Sequence, residues 1–123
     1  MLEVKKSTAT ALPVTLFDSS TGNPKTGVLA AGAKCYFTKG NGITSNERTL
    51  AGKWRELDAT NTPGLYFIDF TASDLDTTGE FTYIVTGTGI VQFDGMAQVV
   101  DFLSGDLIEK IGVEDADADG QVL

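Results

Sequence analysis

The clearest alternation of apolar and polar positions lies between Gly64 and Thr86. From Leu65 to Phe70, Tyr66, Ile68 and Phe70 fall on one side and Asp69 on the other, the period of a strand with one buried face. From Glu80 to Thr86 the pattern repeats, with Phe81, Tyr83 and Val85 on one side and Thr82, Ile84 and Thr86 opposite. Between the two, Ser73 to Thr78 is small and acidic, made of residues that bond locally to the backbone and turn it. Two aromatic, β-branched strands joined by an Asp-rich corner predict the middle of an antiparallel β-sandwich.

The rest of the chain reads in the same terms. Leu12 to Phe17 is a strand with Pro13 at its start or on an edge, because proline has no backbone donor. Asp18 to Gly27 is a dense turn, Val28 to Ala33 resumes with small residues, and Lys34 to Thr38 is a further strand. Lys39-Gly40-Asn41-Gly42 is a hairpin signal. Ile43 to Glu56 reads either as a strand pair around Ala51-Gly52 or as an ordered loop. Within it Trp54 and Arg55 form a candidate contact patch; the competing reading is a tryptophan that caps the core beneath Lys and Arg stems. Ile90 to Val100 is a strand with Val91 and Phe93 on one face and a break or bulge at Asp94-Gly95. Ser104 to Gly112 is a short helix, capped by Ser104, stopped by Gly112 and striped with Leu107, Ile108 and Ile111. A helix so short needs a surface to dock on. Three segments result: an arm or edge strand at 1–11, a sandwich domain at 12–100, and a docking segment at 101–123 made of the helix and an acidic tail.

Composition narrows the chemistry. The 123 residues suit one domain, and 14 glycines with short apolar runs favour strands and tight turns. The net charge of −8 is uneven: residues 1–55 hold eight bases and three acids, residues 56–123 one base and fourteen acids. Such a chain is expected to repel nucleic acid. The asymmetry lets the acidic part of one copy attract a basic neighbour, unless both halves interleave in one fold and the surface is mixed. No window is apolar and long enough to span a membrane, and Met1 to Lys6 lacks the apolar block of a secretion signal. With no histidine and the single Cys35, Ser-His and Cys-His systems and histidine or thiolate metal sites are excluded, and Cys35 itself reads as a core thiol. Asp74 and Asp76 are an acid/base pair in principle, but in a corner they cap backbone. Asp115, Asp117, Asp119 and Gly120 match the first half of a calcium loop, whose twelfth-position glutamate is missing, so no metal or other cofactor is expected.

Two stretches carry a resemblance. Val14 to Val28 contains a strand, an Asp-Ser/Thr-rich turn, a proline and Thr-Gly-Val; Gly64 to Asp74 contains glycine, an aromatic strand and Thr-Ala-x-Asp. Both resemble blocks of small tailed-phage structural proteins with immunoglobulin-like domains. The corner Asp76 to Phe81 also looks like the turn entering strand F of immunoglobulin-like folds, with Phe81 where a hydroxyl-bearing tyrosine stands. The resemblance implies an immunoglobulin-like β-sandwich and a non-enzymatic virion component assembled in the bacterial host cytoplasm. The implied role is capsid decoration or head fibre, with a neck or tail adaptor as the alternative. Its partners would be other virion proteins (major capsid, neck or tail) and further copies of itself, not nucleic acid or membrane. Lys5 and Lys6 would suit an acidic groove, and Leu107, Ile108 and Ile111 an apolar one. A carbohydrate-binding adhesion module on the same fold is the rival, with Trp54 and Tyr36 as its contact residues.

Overall fold

A computed structural model describes residues 2–40, 42 and 44–102. The expected helix at 104–112, with Leu107, Ile108 and Ile111, and the Asp115–Gly120 motif lie outside the described residues. Eight strands run in chain order: β1 (Glu3–Lys5), β2 (Thr10–Thr15), β3 (Ala33–Lys39), β4 (Asn46–Arg48), β5 (Trp54–Asp58), β6 (Thr62–Phe70), β7 (Gly79–Gly87) and β8 (Phe93–Val100). They form a five-stranded sheet in the order β1-β8-β7-β3-β4 and a three-stranded sheet in the order β2-β6-β5. All neighbours are antiparallel except β1, which runs parallel to β8. The protein is an all-β sandwich.

The two strands most visible in the sequence are the inner strands of opposite sheets. β6 buries Tyr66, Ile68 and Phe70, and β7 buries Phe81, Tyr83 and Val85. The corner between them carries the chain from one sheet to the other and adds the buried Leu75 to the core. Facing rings fill the centre. Phe70 from the small sheet meets Phe37, Phe81 and Tyr83 from the large one edge-on, with centroids 5.8, 5.0 and 5.3 Å away. Edge-to-face contacts of this kind add to the area they bury.

Asp74 holds the corner in shape. Its Oδ2 accepts the Thr71 N–H at 2.9 Å and the Arg48 guanidinium at 2.6 Å. Backbone capping is therefore what this carboxylate does, and the ion pair ties short β4 to the corner. Asp76 takes the Lys39 ammonium at 3.1 Å, and Asp69 the Arg55 guanidinium at 2.7 Å. These three pairs join bases of the first half of the chain to acids of the second, so the halves interleave and their charges mix on one surface.

Two local expectations are corrected. There is no strand pair around Ala51-Gly52: β4 joins β3 and β5 joins β6 in the other sheet, while Leu50 between them is buried. Nor does Asp94-Gly95 interrupt β8, whose register on β7 is continuous through Ile84↔Asp94 and Tyr83↔Gly95. Glycine is there to make room. A Cβ on Gly95 would stand 2.5 Å from Tyr83 Cζ. The ring crosses the interior over Gly95, and its hydroxyl donates to the Pro13 carbonyl of β2 at 2.6 Å. Tyr83 thus links the two sheets, two residues beyond Phe81, where the corner was expected to lack such a hydroxyl.

Cys35, Tyr83 and Tyr66 make the core sensitive to base. Burial pushes the Cys35 thiol from near 9.0 up to about 12 and raises the Tyr83 and Tyr66 hydroxyls as well. The folded state then holds protons that the unfolded chain releases, so this stabilisation is complete below the unfolded values and is lost as pH rises through the folded ones. The thermal midpoint is expected to fall steadily between about pH 9 and pH 12. A flat midpoint over that range in calorimetry would contradict the buried placement of these groups. Maleimide labelling of Cys35 at neutral pH is likewise expected to require unfolding.

Candidate interaction surface

One end of the sandwich is built by three connections: residues 16–32 after β2, 59–61 after β5 and 88–92 after β7. The first is long and carries little regular structure, yet it is tightly held. Leu16 N–H donates to Gly64 O at 2.8 Å, and Lys25 N–H to Leu16 O at 2.9 Å. Asp18 folds the turn by accepting the N–H groups of Ser20 and Thr21 and the Lys25 ammonium. Those bonds hold its carboxyl below the usual aspartate range, the Ser20 N–H foremost.

The segment Lys25–Val28 then lies as a strap across three inward-facing side chains of the small sheet. The Tyr66 hydroxyl donates to Lys25 O at 2.6 Å and accepts from Val28 N–H at 3.1 Å. Trp54 Nε1 donates to Val28 O at 2.8 Å, and Glu56 Oε1 accepts from Gly27 N–H at 3.1 Å. Trp54 and Tyr66 stack with centroids 4.8 Å apart. Desolvation raises the Tyr66 hydroxyl, and the Glu56 carboxylate pushes in the same direction. Strands with an apolar, aromatic inner face thus hold an irregular backbone segment by satisfying its polar groups.

Beyond the strap, a turn of 3-10 helix at Ala30–Gly32 separates two clefts. The larger, of about 810 Å³, is lined by Val28, Leu29, Ala31, Lys34 and Thr86 among others. The smaller, of about 380 Å³, runs past Lys34 to Glu47, Arg48 and Leu50. Leu29 is 74% exposed, and Phe17 and Val91 also stand in solvent at this end. A concave surface with an exposed apolar side chain at its edge marks a candidate binding site.

No protein family, curated protein or solved structure matches the chain.

The residues singled out from sequence fall in three places. Lys5 on β1 and Lys6 after it are exposed at the opposite end, where Lys6 N–H donates to Val100 O as β8 ends. Trp54 is half-buried on the inner side of β5, beneath the strap. Arg55 is exposed on the outer side, bonded to Asp69 and with its guanidinium 5.4 Å from the Phe67 ring centre. Neighbours on a strand point to opposite faces, so Trp54 and Arg55 share no patch. Tyr36 is half-buried on the outer face of β3 beside Ile84. Sequence reading missed Leu29, Glu56 and the strap, which have no periodic signal. Among the described residues no His/Cys/Asp/Glu group is arranged to hold a metal ion, and no helix is long and apolar enough to cross a membrane.

Proposed function

We propose that this chain is a non-enzymatic structural protein of a bacteriophage virion: an immunoglobulin-like capsid decoration or head-fibre module that holds neighbouring virion proteins by surface contact. One observation carries the reading. The two stretches that resemble the phage modules are a single physical unit. β2 pairs with β6 from Thr10↔Phe70 to Thr15↔Leu65, and the turn after β2 closes on the start of β6. Gly64, the glycine that opens the second block, has a φ of +84°, and a Cβ there would stand 2.8 Å from Leu16 O and 3.0 Å from Pro24 Cβ of the first block. The glycine of the second block is thus required by Leu16 and Pro24 of the first.

The strand order supports the immunoglobulin-like assignment. Five strands with the first parallel to the last, over three in the order second, sixth and fifth, correspond to A′GFCC′ over BED. The engagement of Trp54 with Tyr66 and Val28 favours this reading over a carbohydrate-binding one, which would need that ring in solvent. In the proposed role the chain is assembled in the host cytoplasm and sits in the virion against major capsid, neck or tail proteins, as an oligomer. It contacts neither nucleic acid nor membrane. The docking groups are Lys5 and Lys6, at the corner where β1 and β8 end, together with Leu107, Ile108 and Ile111 further along the chain.

Truncation after Val100 tests it. The shortened chain is expected to keep the strand spectrum and melting midpoint of the full one within a few degrees and to be absent from purified particles. Normal incorporation of the shortened chain would sink the docking role.

A further inference from the structure

We propose that residues 103–123 of one copy occupy the larger cleft of the next, so that the chain associates head to tail. Three observations converge on this occupant.

The first is charge. The cleft lining includes Lys25 and Lys34 and no acid, in a chain with 17 acids and 9 bases. Lys25 shares its charge with Asp18 at 3.1 Å. Lys34, exposed at the start of β3, stands at the mouth of both clefts. Residues 103–123 hold six acids and one base, the most acidic stretch of the chain. Opposite fields of this kind steer encounter and set orientation.

The second is apolar fit. Val28, Leu29 and Ala31 line the cleft, and Leu29 is the most exposed large apolar side chain among the described residues. Within the acidic stretch stand Leu107, Ile108 and Ile111. An apolar set flanked by acids matches an apolar floor flanked by lysine.

The third is placement, which favours a second copy over the chain's own cleft: the cleft and the end of β8 lie at opposite ends of the sandwich. β8 runs from Phe93 to Val100, and its ends stand about 24 Å apart. The cleft lies beyond the Phe93 end, beside Gly87 and Thr88. Leu107 is seven residues past Val100 and extends at most about 24 Å from it. Leu107 therefore falls short of its own cleft at full extension, and Ile111 spans the distance only as a nearly extended chain laid back along the sandwich, whereas a copy stacked end-on presents its cleft at the end where β8 finishes. Such contacts are heterologous, and they close into rings or continue as rows according to the rotation between copies.

The test uses full-length chains. A copy carrying Leu29→Cys is mixed with one carrying Ile108→Cys and treated with a short bismaleimide; buried Cys35, with its thiol pushed up to about 12, does not compete. A cross-linked pair containing one of each is expected. A control pair with Leu57→Cys, 53% exposed on the other sheet, is expected to give little product. In sedimentation equilibrium, Lys34→Glu is expected to weaken self-association about tenfold, and added salt to weaken the parent chain. The proposal is overturned by equal cross-linking of Leu57→Cys and Leu29→Cys. Cross-linking within a single chain carrying both cysteines, or an unchanged association constant with Lys34→Glu, overturns it as well. These readouts need no virus particle, so their failure leaves membership of the virion standing, and absence from particles would not affect them.

Discussion

Replacing Phe70 with alanine is expected to cost about 4 kcal/mol, enough to lower the melting midpoint by about 15 °C. Phe70 is the ring of the small sheet that reaches into the aromatic cluster of the large one, touching Phe37, Phe81 and Tyr83 edge-on. Its exposure is 1%. Removal leaves a cavity walled by three rings that belong to paired, twisted strands and cannot collapse inward together. The loss combines transfer free energy, cavity and edge-to-face contacts. Chemical denaturation reads it directly. A loss under about 1 kcal/mol would mean that the two sheets do not close over this ring.

The second large effect is at a residue with no side chain. Gly95→Ala is expected to destabilise by about 3 kcal/mol, because the new methyl meets Tyr83 Cζ and the ring must move. Displacing the ring also strains or breaks the hydroxyl bond to Pro13 O that joins the sheets. The explanation is specific to the pair. In a Tyr83→Leu background the same Gly95→Ala change is expected to cost less than about 1 kcal/mol. Equal costs in both backgrounds would place the role of Gly95 in its backbone and not in the space it leaves.

Much of this fold was legible from period two alone. β6 and β7 announce themselves because each has a fully buried face of large side chains, and a one-residue slip would expose all of them. β2 and β3 follow for the same reason. The illegible parts are those whose partners are remote. β4 has only Asn46–Arg48 and acquires its place from β3 and from the Arg48–Asp74 ion pair. The strap at Lys25–Val28 has no apolar rhythm; its shape is set by Trp54 and Tyr66, about 26 to 41 residues away in sequence. Gly95 reads locally as a break, and only the ring across the strand shows that it preserves the pairing. At the candidate surface, Lys5 and Lys6 were legible as exposed charge, and of the two readings of Trp54 the core-capping one matches its packing against the core, while Arg55 lies on the opposite face. Leu29, the side chain that most plainly invites a contact, stands among small residues that give no signal.

The charges tell a related story. In sequence the two halves look like opposite poles. In space Lys39, Arg48 and Arg55 are matched to Asp76, Asp74 and Asp69, so part of that polarity goes into holding strands and corners together. Partly exposed pairs contribute little to stability, so their value lies more in fixing which corner meets which strand.

The proposed function puts a sandwich filled by its own rings into a phage particle, with its outer surface making the contacts. Quantitative mass spectrometry of purified virions from the host that carries this gene tests that most directly. The account predicts peptides of this chain at a fixed copy number per particle, retained through gradient purification. Peptides confined to the soluble lysate, with none in the particle fraction, would contradict it.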